Sequence, residues 1–151
     1  MKKVGIVGLG DMGIGMATNI RKAGFELTGF DLREERRKML ADLGGTPVES
    51  IAEVGRASEV VFVMVMHGWQ VQSVVLDEGG LADSMDAGKC VIVSATIKPS
   101  EVISVAPRLK EKGIRLIDSP VSGGKSGADG GTLAMMAAAP ADVLEEHRAV
   151  M

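Results

Sequence analysis

The sequence contains little cysteine, few aromatic residues and no long apolar run. Its 151 residues include one cysteine, one tryptophan, three phenylalanines and no tyrosine. A single cysteine cannot form a disulfide bond within the chain, which excludes the disulfide-stabilised scaffolds of small secreted proteins. No apolar stretch approaches the roughly 18 residues that a membrane-spanning helix needs. We therefore expect a globular protein without membrane segments, located in the cytoplasm.

The sequence also lacks a concentration of positive charge. It carries 17 lysines and arginines against 20 aspartates and glutamates, which gives a formal net charge of -3. Binding to nucleic acid or to a membrane surface requires a basic patch, so this balance argues against both. The basic residues that do cluster are interleaved with glutamates, in the run Arg33, Glu34, Glu35, Arg36, Arg37 and Lys38. Such mixed charge is typical of the solvated face of a helix.

Hydrophobic residues make up 46% of the chain, which is enough for one domain with a sizeable core. Short apolar runs alternate with longer segments of helical periodicity, and this alternation is typical of βαβ units. The predicted strands are residues 4–7, 26–30, 60–65, 90–93, 114–117 and 132–137. The predicted helices are residues 12–23, 33–43, 50–56, 69–76, 100–112 and 141–151. Ser50 and Ser100 are the expected N-caps of two of these helices.

The pattern predicts an α/β fold of the Rossmann type, with a doubly wound, mostly parallel and twisted sheet and helices on both faces. Right-handed βαβ crossovers lead to the strand order 3-2-1-4-5-6 in such a sheet. We expect residues 1–151 to form one domain.

A glycine-rich turn follows the first predicted strand, with the sequence Gly8-Leu-Gly-Asp-Met-Gly13. G-x-G-x-x-G alone is a weak signal, because glycines occur in many turns that bind nothing. Here the turn follows a buried strand, opens a helix and is followed by an acidic residue, Asp31, at the end of the next strand. Gly8 permits the tight turn, Gly10 lets backbone approach a pyrophosphate, and Gly13 allows close packing of helix and strand. The helix N-terminus favours phosphate binding, so the turn predicts a dinucleotide site.

Asp31 bears on the choice of cofactor. A carboxylate at this position accepts hydrogen bonds from the adenosine ribose hydroxyls and repels a 2′-phosphate, which favours NAD over NADP. Arg33 lies two residues further on and could turn toward a 2′-phosphate, which leaves NADP open as the alternative.

A second glycine-rich segment, Asp118-Ser-Pro-Val-Ser122-Gly-Gly124-Lys-Ser-Gly-Ala128, follows the strand predicted at residues 114–117. By itself it could be a loop rich in turn residues. Together with Gly8-Leu-Gly-Asp-Met-Gly-Ile-Gly-Met-Ala-Thr-Asn19, it resembles the β-hydroxyacid dehydrogenases over the whole chain. That family includes 3-hydroxyisobutyrate dehydrogenase, tartronate semialdehyde reductase and L-threonate dehydrogenase, and 6-phosphogluconate dehydrogenase is related to it.

The resemblance implies roles for individual residues. Ser122, Gly123 and Gly124 match the positions that hold the substrate carboxylate, and their hydroxyl and N–H donors suit an anion. The cofactor-binding residues that the resemblance and the first turn imply are Gly8, Leu9, Gly10, Asp11, Met12, Gly13, Asp31, Val65, Met66 and Thr96. The family usually has Leu-Pro-Asn where this chain has Val65, Met66 and His67, which puts side-chain contacts there in doubt. No metal site is predicted.

The resemblance also implies an activity, namely hydride transfer between a nicotinamide cofactor and a small β-hydroxyacid. The family's catalytic lysine lies in a second, helical domain, and no residue in 1–151 matches it. We expect residues 1–151 to be a dinucleotide-binding domain that lacks its last strand and the helical domain. Alone it should turn over little or nothing, and it could self-associate through the face that the second domain would cover. The alternative is a non-catalytic dinucleotide-binding or interaction module.

Several residues that might suggest chemistry are predicted to be structural. Cys90 lies in an apolar run and should be a buried, inert thiol. His67 is expected in a solvated loop, and His147 has no predicted function. The methionines of the predicted strands and their ends should fill the core, and these are Met64, Met66, Met135 and Met136.

Overall fold

A six-stranded parallel sheet forms the centre of the computed structural model, which describes residues 2–151. Its strands are β1 (Lys3–Val7), β2 (Glu26–Phe30), β3 (Thr46–Pro47), β4 (Val60–Val63), β5 (Cys90–Val93) and β6 (Arg115–Asp118). Their order is β3-β2-β1-β4-β5-β6, and every neighbouring pair is parallel. The doubly wound order predicted from the sequence is confirmed, but its third strand is Thr46–Pro47, which was not predicted, and the strand predicted at residues 132–137 is not part of this sheet.

Helices cover both faces of this sheet. They are α1 (Asp11–Lys22), α2 (Glu34–Asp42), α3 (Ile51–Ala57), α4 (Gly68–Leu76), α5 (Leu81–Ser84), α6 (Pro99–Glu111), α7 (Gly124–Gly130) and α8 (Ala141–His147), followed by a 3₁₀ turn at Arg148–Val150. One hydrophobic core includes residues of α1, α2 and α8, and the other includes residues of α3 to α6. The longest helix, α6, has 13 residues, and within the described chain none has the length and hydropathy needed to cross a bilayer.

The two central strands β4 and β5 are buried along their whole length. Successive side chains of a strand point to opposite faces, so Val61 and Val63 enter the core of α3 to α6 while Phe62 enters the other. A strand that is buried on both faces reads as a continuous apolar run, which is why these two strands were predictable. Cys90 begins β5, has no exposed surface, and its pKa is raised by burial to about 12, as expected for an inert thiol.

Several predicted strand boundaries were wrong. The strand predicted at residues 60–65 ends at Val63, and β3 was not predicted because it has only two residues, one of them proline. The strand predicted at residues 132–137 is only β8 (Ala134–Met135). It pairs antiparallel with β7 (Val121–Ser122) in a two-stranded ribbon outside the main sheet.

Two helix predictions also need correction, and one is confirmed. Helix α6 starts at Pro99 with Lys98 as its N-cap, rather than with Ser100, because the fixed φ of proline suits the first helical position. The helix predicted over residues 141–151 ends at His147. The Ser50 cap of α3 is confirmed, since its hydroxyl accepts a hydrogen bond from the Glu53 N–H at 3.3 Å.

The methionine prediction holds for two of the four residues. Met64 and Met135 are partly buried and pack against the core of α1, α2 and α8. Met66 and Met136 are 79% and 56% exposed, so they do not fill a core. Met66 lies beyond the end of β4, and Met136 lies between the partly buried Met135 and Ala137, so that its side chain points to the opposite, exposed side of the extended segment.

Helix α2 is attached to the sheet through a single buried side chain, Leu40. Leu40 fits against two glycines, since a Cβ on either Gly29 or Gly45 would lie 2.6 Å from a Leu40 methyl carbon. The other residues of α2 are partly or fully exposed, and their charges form the solvated face that the sequence predicted.

We predict that Leu40→Ala lowers the free energy of unfolding by about 2–5 kcal/mol, the usual range for removing a buried leucine side chain. The control is the neighbouring Met39→Ala, since Met39 is 40% exposed and its loss should cost no more than about 0.5 kcal/mol. Urea denaturation followed by circular dichroism measures both values. Equal losses for the two variants would show that Leu40 is not the anchor of α2.

Candidate functional site

The residues predicted to bind the cofactor follow the carboxyl ends of strands in the parallel sheet. The first glycine turn follows β1, Asp31 follows β2, Val65 and Met66 follow β4, and Thr96 follows β5. Because neighbouring strands are parallel, these ends meet at one edge of the sheet, where doubly wound folds bind their ligands. Both Thr96 and Met66 are exposed, and Val65 is partly buried.

The glycine turn after β1 packs too tightly to admit side chains at two of its positions. A Cβ on Gly8, whose φ is +97°, would lie 2.2 Å from the Met64 carbonyl oxygen, and one on Gly13 would lie 2.0 Å from the Gly8 carbonyl oxygen. Gly10 is different, because a Cβ there would meet only Arg33, at 3.9 Å. The protein itself therefore requires Gly8 and Gly13, while the surface at Gly10 remains open to a ligand.

Helix α1 begins at this turn with free backbone donors. Gly10 is its N-cap and supplies no side-chain cap, and the first intrahelical bond runs from the Ile14 N–H to the Gly10 carbonyl at 2.9 Å. The N–H groups of the first turn have no acceptor within a helix, and the helix dipole gives that end a partial positive charge. The carboxylate of Asp11 is engaged by Arg36 at 3.1 Å. This end of α1 can bind an anionic group such as a pyrophosphate.

Asp31 is connected to the turn and to Arg33 by hydrogen bonds. Its carboxylate accepts one from the Leu9 N–H at 2.8 Å, and it accepts others from the Arg33 N–H at 2.9 Å and the Arg33 Nε at 3.0 Å. Burial raises the pKa of Asp31, but the hydrogen bonds from Arg33 and Leu9 outweigh burial and hold it below its ordinary value. The side chain is 10% exposed and its oxygens are already engaged, so a ribose hydroxyl would have to displace Arg33.

The turn after β4 is held by a glutamine. The Oε1 atom of Gln70 accepts hydrogen bonds from the Met66 N–H at 3.0 Å and the His67 N–H at 2.9 Å. The His67 ring stacks on Trp69 with the ring centres 6.2 Å apart. His67 is exposed, as predicted for a loop histidine, and Trp69 is 64% exposed.

The second glycine loop begins at Ser122, the last residue of β7, and leads into α7. Gly123 and Gly124 both have a positive φ, +136° and +60°, which other residues rarely adopt. Ser122 and the two glycines are exposed at this turn, so their polar groups are accessible to a ligand.

Helix α7 packs directly on α1. The absence of a side chain at Gly15 permits this contact, because a Cβ there would lie 2.7 Å from the Ala128 Cβ. The Asn19 side-chain amide donates hydrogen bonds to the Ala128 carbonyl at 2.7 Å and the Asp129 carbonyl at 3.3 Å. Asn19 therefore fixes the carboxyl end of α7 to α1. Asn19 belongs to the first motif, but no role was predicted for it from the sequence.

The two helices run in the same direction. Their carboxyl-terminal parts meet at Asn19, and at the other end Lys125 lies close enough to Asp11 to interact with it electrostatically. The pKa of Lys125 is raised by its hydrogen bond to Asp129 and more weakly by Asp11. The N-terminus of α7, with Gly123 and Gly124, is thus brought to the same side of the molecule as the first glycine turn.

These two glycine loops match a known domain. The sequence profile of the NAD binding domain of 6-phosphogluconate dehydrogenase matches residues 3–151. The chain belongs to this family. Its cofactor is therefore NAD, and the open surface at Gly10 beside the helix N-terminus fits the pyrophosphate of a dinucleotide.

The NAD-binding domain is similar to several characterised dehydrogenases. It is 40% identical to L-threonate dehydrogenase of Cupriavidus necator over 93% of this chain and 48% of that protein. It is 34% identical to 3-hydroxyisobutyrate dehydrogenase of Pseudomonas aeruginosa over 100% of this chain and 51% of that protein. The crystal structure of Mycobacterium tuberculosis 3-hydroxyisobutyrate dehydrogenase with L-serine matches with a TM-score of 0.94 at 29% identity, over 99% of this chain and 50% of that one. The chain spans about half the length of the curated relatives it matches.

The buried His147 lies away from this edge. His147 is 1% exposed, its Nδ1 is 2.8 Å from the Val143 carbonyl, and burial lowers its pKa. Its charged neighbours Lys2 and Arg115 belong to the amino ends of the sheet. Among residues 2–151, no group of three histidine, cysteine or acidic side chains is arranged to hold a metal.

We predict that Asp31 makes the stability of the NAD-binding domain depend on pH. Its pKa in the folded chain lies below the ordinary value of 3.8, so its contribution is present above that value and is lost as the pH falls through the folded pKa. Wild type should exceed Asp31→Asn in free energy of unfolding at neutral pH, and the difference should shrink below pH 3.8. Urea denaturation at a series of pH values measures it. Asp42→Asn, at the exposed end of α2, is the control, and a pH-independent difference for Asp31→Asn would contradict the prediction.

Proposed function

We propose that this chain is the NAD-binding half of an oxidoreductase that transfers a hydride between NAD and a small β-hydroxyacid. The observation that carries the proposal is the placement of two glycine loops on one side of the molecule, held there by the contacts of Gly15 and Asn19 with α7. One loop suits a pyrophosphate and the other suits a carboxylate. Relatives of the chain are named L-threonate dehydrogenase and 3-hydroxyisobutyrate dehydrogenase, and both names describe hydroxyacid substrates.

The cofactor site extends along the carboxyl edge of the sheet. The N–H groups between Gly8 and Gly13 hold the pyrophosphate, and Asp31 accepts hydrogen bonds from the adenosine ribose after Arg33 moves aside. Val65, Met66 and Thr96 then line the remainder of the cofactor, with the backbone of Met66 held in place by Gln70. When bound, NAD supplies the site that accepts or donates the hydride.

The substrate carboxylate is held by the second glycine loop. The Ser122 hydroxyl and the N–H groups of Gly123 and Gly124 donate hydrogen bonds to it, and donors of this kind are strongest toward a charged acceptor. These exposed groups can receive a ligand without rearrangement of the core. The loop orients the substrate toward the cofactor because α7 is fixed to α1.

The proton of the substrate hydroxyl needs a separate acceptor. By resemblance to the family this group is a lysine of a helical domain, and no residue among 1–151 matches it. The role of this chain is therefore to bind and orient the two reactants. General acid–base help typically contributes 10²–10⁴-fold to the rate, so the chain by itself should show almost no turnover.

We predict that Asp31 selects NAD over NADP. Asp31→Asn should bring the two dissociation constants closer together by about ten- to a hundred-fold, because it removes the repulsion of a 2′-phosphate and weakens a hydrogen bond to a charged group. Isothermal titration calorimetry with both dinucleotides tests this on the chain itself. Asp42→Asn removes the same charge from the far end of α2 and should leave both constants unchanged. Tighter binding of NADP by wild type would assign the preference to Arg33 instead.

We predict that Ser122 acts on the hydroxyacid and not on NAD. In an enzyme completed with the helical domain of a relative, Ser122→Ala should raise KM for L-threonate or 3-hydroxyisobutyrate about ten- to a hundred-fold, the effect of losing one hydrogen bond to a charged group. The dissociation constant for NAD should stay within about twofold. Ser126→Ala, an exposed serine within α7, is the matched control. Equal losses for both ligands would mean that Ser122 has a structural role.

A further inference from the structure

Glu101 lies where the N-termini of α4 and α6 come together. Its Oε2 atom accepts a hydrogen bond from the Lys98 N–H at 2.8 Å, which closes the first turn of α6. Lys98 ends the turn that follows β5, the turn that also carries Thr96. One oxygen of Glu101 is therefore attached to the backbone of the β5 turn.

The same carboxyl group rests against Gly68, the first residue of α4. A Cβ on Gly68 would lie 2.1 Å from the Glu101 Cδ and 2.3 and 2.4 Å from its two oxygens. Gly68 is buried and has no positive φ, so its backbone conformation does not demand glycine, and an added Cβ would meet the Glu101 carboxyl group, which would have to move. Glu101 therefore lies against the first residue of the helix that follows the β4 turn.

Both turns are otherwise fixed by their own helices. Gln70 of α4 holds the Met66 and His67 N–H groups, and α4 and α6 are joined on their outer side by the Gln72–Ser104 hydrogen bond of 2.9 Å. Each turn therefore moves as a unit with its helix, and Glu101 is the contact that connects the two at the edge of the sheet. Its negative charge also suits the partly positive ends of two helices.

We propose that Glu101 is a positioning residue for the cofactor, which fixes the spacing between the β4 turn with Met66 and the β5 turn with Thr96. The inference rests on the proposed contacts of those two residues with NAD. If the two turns already have the right spacing before binding, they need not be ordered when the dinucleotide binds. Such preorganisation increases the affinity for NAD. The role requires a side-chain oxygen that accepts from the Lys98 N–H and the absence of a Cβ at Gly68, and it does not require a titrating group.

The first test compares NAD affinity in two variants of Glu101 by calorimetry. Glu101→Ala should weaken NAD binding on the order of tenfold, because the β4 turn and the β5 turn lose their common contact. Glu101→Gln keeps an oxygen that accepts from Lys98 and keeps the shape of the side chain, so its dissociation constant should stay within about threefold of wild type. Loss of affinity in Glu101→Gln as large as that in Glu101→Ala would overturn the positioning role.

The second test uses Gly68. In Gly68→Ala the new Cβ would displace the Glu101 carboxyl group, so this variant should weaken NAD binding as much as Glu101→Ala does. The double variant should bind NAD no more weakly than either single variant, because the effects of two residues that act through one contact are not additive. If the losses of NAD affinity add fully, or if Gly68→Ala binds NAD as tightly as wild type, the contact between Glu101 and Gly68 does not position the site.

Two controls separate positioning from general stability. Glu111→Ala removes an ion pair with Arg108 of 2.8 Å at the other end of α6, and Val105→Ala shortens a fully buried side chain in the middle of it. Val105→Ala should lower the unfolding midpoint without changing NAD affinity, whereas Glu101→Ala should change affinity while the chain remains folded. Trp69 is the chain's single tryptophan and directly follows Gly68, so its emission should shift in Glu101→Ala and Gly68→Ala and not in either control.

The same measurements distinguish failure of the proposed function from failure of the role proposed for Glu101. Wild type that fails to bind NAD would overturn the proposed function together with this inference. In another outcome, wild type binds NAD and Asp31→Asn narrows the difference between the NAD and NADP dissociation constants as predicted. If Glu101→Ala then binds NAD as tightly as wild type, only the role of Glu101 is overturned.

Discussion

The close approach of backbone segments around Gly8 and Gly13 is the constraint on which the site depends. The turn after β1 can pass beneath the Met64 carbonyl only because Gly8 has no Cβ, and α1 can begin where it does only because Gly13 has none. This brings the N-terminus of a 12-residue helix to the carboxyl edge of the sheet with its first N–H groups free. Any larger residue would push α1 away from β1 and, with it, the α7 helix that packs on α1.

Close packing of α7 on α1 then brings the second glycine loop to the same side of the molecule as the first. The contact of Gly15 with Ala128 and the hydrogen bonds of Asn19 fix α7, and α7 carries the Ser122 loop. The electrostatics of the edge follow from the same geometry, because the Leu9 N–H and Arg33 both reach Asp31 and keep it ionised. The two loops therefore differ in their polar groups, because Asp31 places a carboxylate paired with Arg33 beside the first loop, whereas Ser122, Gly123 and Gly124 offer neutral hydrogen-bond donors at the second.

Sequence patterns predicted the features that depend on local periodicity. The apolar runs of β4 and β5, the glycine turn and the Ser50 cap all have short-range signals, and these predictions are confirmed. The family and the strand order were also predictable, since two motifs lay at a characteristic separation. The strand β3 has no such signal, because two residues that include a proline carry no periodicity.

The remaining features depend on contacts between residues far apart in the chain. Asn19 bonds to a carbonyl 109 positions away, and Glu101 packs on Gly68 only because α4 and α6 lie side by side. Arg33 is different, because it lies only two residues from Asp31: the sequence indicated a contact of Arg33 with a 2′-phosphate as the alternative, and not its hydrogen bonds to Asp31. The methionine prediction failed at Met66 because hydrophobicity alone does not tell where a short strand ends, and at Met136 because successive side chains of an extended segment point to opposite sides.

The attachment of α2 through Leu40 alone has a consequence for the evolution of this fold. The rest of the helix surface takes little part in the core, so substitutions of its basic residues cost surface ion pairs, such as those of Arg33 with Asp31 and Arg36 with Asp11, and leave the packing on the sheet intact. Arg33 and Arg36 lie at the start of that helix, next to the residues proposed to contact the adenosine end of the cofactor. Selection can therefore change the preference between NAD and NADP through substitutions at the start of α2. The sheet, the glycine turn and the Ser122 loop need not change.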